Sequence, residues 1–370
     1  YYQKGLVLSG GSPYEIANSF TESDLDYIRY IQKDDIVYIL HPLKGFFKLI
    51  RLANNSWTFA SVDLQLGPFQ KENTFQTRLC AINNHGPVGT TGTLTASGHT
   101  PFTANHIGSL WLMRDGTSYA YLKITAFTSS TSVNYISQSV IATSFAAKNL
   151  YTWREGEFGL HRSFPRAITF HEQRIVMAGS INEPQKIWFS KSGEYENFDE
   201  DYTSLTADDG FNRTIASSTN DSILWLFSDE VLLIGCSDSV WIAKPSNNSA
   251  GLSNTDIGLK RQIAFGSEWV DPVYADNSPF YLQRGKQKIR SINYTANQSK
   301  FTTEDVTIRS DHITGSGIKR FDYQQNPIST IWALREDGQI AKFVYENNQD
   351  VNCWTRFKTN GLIEDIAIIP

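Results

Sequence analysis

Hydrophobic and polar positions along this chain fall into short apolar runs broken by turn-forming clusters, with no window that holds a helical period for three turns. The plainest case is Ser329 to Tyr345, two strand-like runs joined through Asp337-Gly338. Asp-Gly between β-rich runs predicts a hairpin, because the turn needs a positive φ that glycine adopts without strain. A third run, Val351 to Lys358, follows the polar turn Glu346 to Asp350. With Trp332 in the first run and Trp354 in the last, these runs predict a small twisted antiparallel sheet.

Similar units recur upstream. Tyr27 to Ile31, Ile36 to His41, Phe46 to Leu52 and Trp57 to Val62 are four apolar-rich runs separated by Lys33-Asp-Asp35, Pro42 to Gly45 and Ala53-Asn-Asn55. Thr21 to Ile31 is the best short helical candidate and reads mostly as a lead into the first of these strands. A second unit comprises Ala167 to Phe170, Arg174 to Ala178 and Lys186 to Ser190, and a third Ser222 to Phe227, Val231 to Cys236 and Val240 to Ala243. A looser fourth runs through Pro272 to Ala275, Pro279 to Gln283 and Ile289 to Tyr294; the fifth is Lys319 to Lys358, and Ile363 to Ile369 reads as the first strand of a sixth. What repeats is the layout of strand, polar turn and strand, as in propeller blades. A solenoid of parallel coils would need shorter and stricter periods. The expected fold is therefore all-β: β-propeller-like blades of short antiparallel strands with a small inserted β domain.

The insertion is where the rhythm breaks. Gly86 to Phe102 is a Gly/Thr/Ser-rich connector, and Ile107 to Met113, Ala120 to Thr125 and Ser132 to Ile136 form a compact β module. The expected division is 1–81 as the N-terminal propeller part, 82–150 as the inserted domain and 151–370 as the remaining blades. Insertions leave a scaffold at exposed loops, where they serve as contact surfaces.

Composition agrees with short strands and turns: aromatic residues make up 13% of the chain, with 25 Gly among the 370 residues. No apolar run approaches membrane-spanning length and no signal peptide is visible. The chain opens on Tyr1 and closes on Ile366-Ala-Ile-Ile-Pro370, which reads as the inside of a strand, so a longer polypeptide is expected. A net charge of −5 argues against a general nucleic-acid-binding face, although an acidic surface suits DNA that must slide past without sticking. Cys80, Cys236 and Cys353 form no CxxC pair and no disulfide framework. Cys236 and Cys353 lie in strand-like runs, where a free thiol is expected in a core.

Candidate chemistry is sparse. The histidines, His41, His85, His99, His106, His161, His171 and His312, include no HxH or HxxxH pair. His85, His99 and His106 lie near the connector and could converge, but solvated loop histidines are the expected outcome. Asp199-Glu-Asp201 and Asp208-Asp-Gly210 lack calcium-loop order and read as a solvated acidic loop. No nucleophile elbow or P-loop is present, and a glycosidase-like acid pair would have to come from distant blades, with none singled out. Trp188, Trp225, Trp241, Trp332 and Trp354 sit inside strand-like runs, where a core role is expected. No catalytic residue, metal ligand or cofactor is therefore expected, and no ligand-binding residue is assigned.

The wording of three segments does carry a resemblance. Gly11-Ser-Pro-Tyr-Glu-Ile16 is followed by Phe20-Thr-Glu-Ser-Asp-Leu25 and Asp35-Ile-Val-Tyr-Ile-Leu-His-Pro42. Phe164-Pro-Arg-Ala-Ile-Thr-Phe-His-Glu-Gln-Arg-Ile-Val-Met-Ala-Gly179 leads to Pro184-Gln-Lys-Ile-Trp-Phe-Ser-Lys-Ser-Gly193 and Asn197-Phe198. Trp332 to Gly338, Val351 to Arg356 and Gly361 to Pro370 complete the set. Together they resemble the tail nozzle family of short-tailed bacteriophages, also called tail tubular protein B, over nearly the whole chain apart from the insertion. The insertion resembles the small β domain labelled a first-catalytic-cysteine half-domain of ubiquitin-activating enzymes, a label that implies no such chemistry here; Cys80 lies before it.

The resemblance implies a structural virion protein, not an enzyme, synthesised and assembled in the bacterial cytoplasm. Such proteins form a hexameric ring below the tail adaptor, extend the DNA channel for genome retention and ejection, and hold tail fibres or spikes. Genomic DNA would pass through without tight binding. The alternative is a receptor- or glycan-binding propeller of the tail, with Tyr119, Tyr121 and Tyr135 of the insertion as its candidate platform, although core packing is the expected role of these tyrosines.

Overall fold

The structure is a computed structural model that describes residues 7–146, 148–217, 219–247, 251–298, 300–346, 349 and 351–368. It is all-β, with β-propeller-like blades and a small inserted β domain. Among the described residues, five antiparallel sheets have four strands in simple up-and-down order, one has six strands and one is a two-stranded ribbon. The chain forms two compact units, Tyr1–Thr214 with Gly251–Asp256, and Ile215–Ala250 with Ile257–Pro370.

The first unit opens with the ribbon β1 (Leu8–Ser9) and β2 (Ser12–Pro13) and a 3-10 turn, Glu22–Tyr27. The turn is held by Asp24, whose carboxylate accepts the Thr21 N–H and hydroxyl, both at 2.7 Å. The first blade is β3 (Arg29–Lys33), β4 (Ile36–His41), β5 (Gly45–Ala53) and β6 (Ser56–Ser61). The inserted sheet uses β7 (Leu79–Ile82), β8 (Thr91–Ser97), β9 (Leu110–Asp115), β10 (Ser118–Ser129), β11 (Ser132–Ser137) and β12 (Trp153–Glu155), in the order β12-β9-β10-β11-β8-β7. The second blade is β13 (Ala167–His171), β14 (Arg174–Ala178), β15 (Lys186–Phe189) and β16 (Phe211–Thr214).

Alternation along the strands builds the cores of this unit. Tyr38, Leu40 and Phe46 of the first blade pack with Ile168, Ile175, Met177 and Trp188 of the second, and β3 lies against β13. Trp111, Leu122, Ile124 and Tyr135 close the inserted sheet over Leu94, Phe102 and Phe145. Each such side chain contributes about 1.5–3 kcal/mol on burial.

The second unit holds three blades: β17 (Ile223–Ser228), β18 (Leu232–Cys236), β19 (Val240–Lys244) and β20 (Gly258–Ile263); β21 (Val273–Ala275), β22 (Ser278–Leu282), β23 (Ile289–Thr295) and β24 (Lys300–Asp305); β25 (Ile318–Gln324), β26 (Thr330–Arg335), β27 (Ile340–Glu346) and β28 (Val351–Phe357). The predicted Asp337-Gly338 turn joins β26 to β27, with Gly338 at φ 70°. Trp354 stacks on Phe343 at 4.5 Å and donates its indole N–H to the Val306 carbonyl at 2.8 Å.

Several sequence expectations are corrected. The second, third and fourth units have outer strands, β16, β20 and β24, whose polar residues (Phe211-Asn-Arg-Thr, for example) gave no apolar run. The Gly86 to Phe102 connector contains β8: Leu94 and Ala96 face inward between threonines, and a side chain at Gly92 would meet the Tyr135 hydroxyl at 2.6 Å. The inserted sheet also reaches past 82 and 150, because β7 and β12 pair with its strands. Residues 363–368 form no strand; Asp365 instead binds the Arg320 guanidinium at 2.7 and 2.9 Å, and the Ile368 N–H donates to Asp322. Ile369 lies outside the described residues, as does most of the turn Glu346 to Asp350. Cys353 is exposed rather than in a core, because Trp354 takes the inward position on β28. Cys236 and Cys80 are buried, with burial pushing both thiols up.

Candidate functional site

The densest polar chemistry in the first unit lies where the chain enters and leaves the inserted sheet. The two connecting stretches pair with each other: the Gln70 N–H donates to Glu155 at 2.8 Å, Asn73 to Trp153 at 2.9 Å and Glu157 to Pro68 at 2.9 Å. The sheet is thus carried on a hydrogen-bonded ribbon rather than on two free linkers. Glu72, from the inbound stretch, receives the Arg114 guanidinium at 2.5 and 2.7 Å. The hydrogen bonds from Arg114 hold its carboxyl below the ordinary glutamate value despite partial burial.

The outbound stretch delivers two buried carboxylates. Glu157 accepts from the Lys186 ammonium and the Trp188 indole of β15, and from Gln70 at 3.0 Å. Lys186 and Trp188 reach it together because alternate residues of a strand share a face. Burial pushes the Glu157 carboxyl up, against the opposite pull of Lys186.

Glu155, two residues earlier, gathers two histidines. The Nε2 of His106 and the Nε2 of His161 lie 3.0 and 3.1 Å from the same oxygen, Oε1. The imidazoles stack at 4.2 Å between centroids. Arg162 approaches the other oxygen, Oε2, at 3.6 Å. Burial would raise the Glu155 carboxyl, but the hydrogen bond with His106 and the closeness of His161 and Arg162 outweigh it and hold it at about 2. The ligand atoms of the three side chains all come within 4.8 Å of one another, close enough to hold a metal ion.

Of the three histidines near the connector, only His106 enters this cluster. His85 is exposed and His99 stacks on Trp153 at 5.2 Å. Glu155 and His161 went unnoticed in the sequence because the contact spans three separated segments with no linear spacing.

The acidic stretch is a solvated loop only in part, with Asp208 exposed. Asp199 and Asp209 are buried, Asp199 accepting from the Tyr121 hydroxyl at 3.2 Å and Asp209 from Lys191 at 2.8 Å. Arg174 closes the loop by donating to the carbonyls of Ala207 at 2.7 Å and Asp209 at 2.9 Å, and to that of Ser190.

The three candidate platform tyrosines are engaged within the fold. Tyr135 is buried with its hydroxyl on the Asn84 carbonyl, Tyr121 is tied to Asp199, and Tyr119 stacks on Tyr202 at 5.9 Å. Trp188 and Trp225 are fully buried, as expected, and Trp241 and Trp354 nearly so. Trp332 is half-buried, edge-on to the exposed Phe357.

A cavity of about 230 Å³ opens between Phe46 and Leu64 of the first-blade region and Leu110, Phe158 and Phe164, with Lys123 at its side. Its volume falls short of the roughly 300–1,000 Å³ usual for ligand pockets.

No protein-family model and no curated protein matches the chain. A solved structure of a protein from Lactobacillus plantarum is similar over 90% of this chain and 80% of that one, at 12% identity and a TM-score of 0.32. So slight a likeness does not bear on function.

Proposed function

We propose that this chain is a nozzle component of a short phage tail, a structural virion protein whose hexameric ring extends the channel through which the genome leaves. The run Phe164 to Gly193 carries the reading. Its wording resembles the nozzle family, and it spans β13, β14 and β15 of the second blade. The matching residues 11–42 fall on β2, the 3-10 turn and the first hairpin, and Trp332 to Gly338 and Val351 to Arg356 on the last blade. Blades interrupted by a small β domain are the architecture that the resemblance implies. A net charge of −5 suits a wall that DNA must slide past.

On this reading the protein is not an enzyme. It meets the tail adaptor above and fibres or spikes at its side, and its surroundings are the host cytoplasm during assembly and then the virion. Against the glycan-binding alternative stand the burial of Tyr135 and the engagement of Tyr119 and Tyr121.

Electron microscopy of the purified protein, alone and mixed with the tail adaptor, tests the proposal. Closed six-fold rings with a central pore are expected. A protein that stays monomeric in both samples while binding a glycan array would overturn it.

A further inference from the structure

We propose that His106, Glu155 and His161 bind a divalent transition-metal cation of the zinc class, which cross-links the three segments that meet where the chain leaves the inserted sheet. Two imidazoles and a carboxylate form a donor set suited to Zn²⁺, Co²⁺ or Ni²⁺. The three groups come from the turn before β9, from β12 and from the loop leading to the second blade.

The independent sign of a ligand is His161. Its side chain is only 3% exposed, and among the described residues neither ring nitrogen has a hydrogen-bond partner of acceptable geometry. A buried unsatisfied polar group is costly, and the His161 Nε2 lies 3.1 Å from the shared carboxylate oxygen. A metal bound at Nε2 satisfies that nitrogen. Bonds of about 2.0–2.1 Å in a tetrahedron set ligand atoms about 3.3–3.4 Å apart. The observed 3.0 and 3.1 Å therefore need only a slight spreading of the two rings around Oε1. Arg162 on Oε2 leaves Oε1 as the metal oxygen, and solvent takes the fourth position beside the partly exposed Glu155.

The Thr103 N–H donates to His106 Nδ1 at 3.0 Å, so without a metal the neutral ring carries its proton on Nε2 and donates it to Glu155. A metal at Nε2 requires the other tautomer. The proton then sits on Nδ1, where the Thr103 hydroxyl oxygen, 3.0 Å away, accepts it, and the Thr103 N–H gives up its bond. His161 carries its proton on Nδ1. Thr103 thus supports the site from behind, a role worth about 10–100-fold in metal affinity.

The test is calorimetric titration of the chelator-treated protein with Zn²⁺, with visible absorption of the Co²⁺ form as a second readout. One equivalent is expected to bind saturably, the Co²⁺ spectrum to be that of a low-coordinate site, and the Thr103 amide resonance to shift. His161→Ala should abolish binding, and Thr103→Val should weaken it about 10–100-fold while circular dichroism stays that of the parent. His161→Gln serves where His161→Ala does not fold. No saturable binding by the parent protein overturns the proposal, as does unchanged affinity in the folded His161 variant.

Discussion

Nothing beside Glu157 in the sequence marks it as different from other acids. In the fold it is 3% exposed and answers a lysine, an indole and a glutamine at once. Burying a carboxylate is tolerated only with such partners, and removing one member of a buried pair costs about 3–5 kcal/mol because the other charge is left uncompensated. Glu157→Ala should lower the unfolding free energy by about that amount in urea titrations. The pair Glu157→Leu with Lys186→Met should recover most of it, and a double variant as unstable as the single one would refute the account. Side chains such as Trp188 and Trp225 were legible as core from their strand-like neighbours, whereas the burial of Asp199 and Asp209 was not. Composition marks a charge as solvent-loving, and only a partner brought from elsewhere, Tyr121 or Lys191, reverses that.

At the scale of elements, inner strands were legible because both of their faces are covered and their letters are apolar. Outer strands such as Lys300–Asp305 were not, since one of their faces meets water and their partner, β23, is what makes them strands. Turns divide in the same way. Asp337-Gly338 declared itself, but β13 and β14 are joined through Glu172 and Gln173 at φ 46° and 62°, a left-handed turn made without glycine. The hairpin tolerates this because the mirror-image turn matches strand twist, and Glu172 also receives the Leu252 N–H. Gln173→Gly should remove the left-handed penalty and raise stability by about 1 kcal/mol, read as a higher thermal midpoint. A drop would show that the Gln173 side chain contributes more than its backbone costs.

For the molecule as a whole, the insertion of a sheet between two blades is the organising event, and charged side chains help to hold it in place. Glu72 grips Arg114 of β9 from the inbound stretch. Because the folded carboxyl titrates below its ordinary value of 4.5, the stabilisation is full above that value and lost as pH falls through the lower folded one. Glu72→Gln should therefore flatten the acid limb of the stability–pH curve and leave the neutral region lower by about 1 kcal/mol. An unchanged acid limb in chemical denaturation at a series of pH values would remove Glu72 from the explanation. A nozzle ring would add subunit contacts that no single chain contains, which is why assembly is read by microscopy rather than from local pattern.

The sequence by itself determined the strand class, the positions of most inner strands and the existence of an interruption, because period-two alternation and turn chemistry act between neighbours in the chain. Its wording also carried the resemblance behind the proposed role. Only the tertiary structure decided which polar residues became partners: Glu157 with Lys186, Glu72 with Arg114, and His106 and His161 on Glu155. Those contacts join residues tens of positions apart, or converge on one carboxylate, and their energy comes from exclusion of water at a place where several segments meet. No local pattern encodes that exclusion, so the chemistry of the junction emerges only when the chain has folded around it.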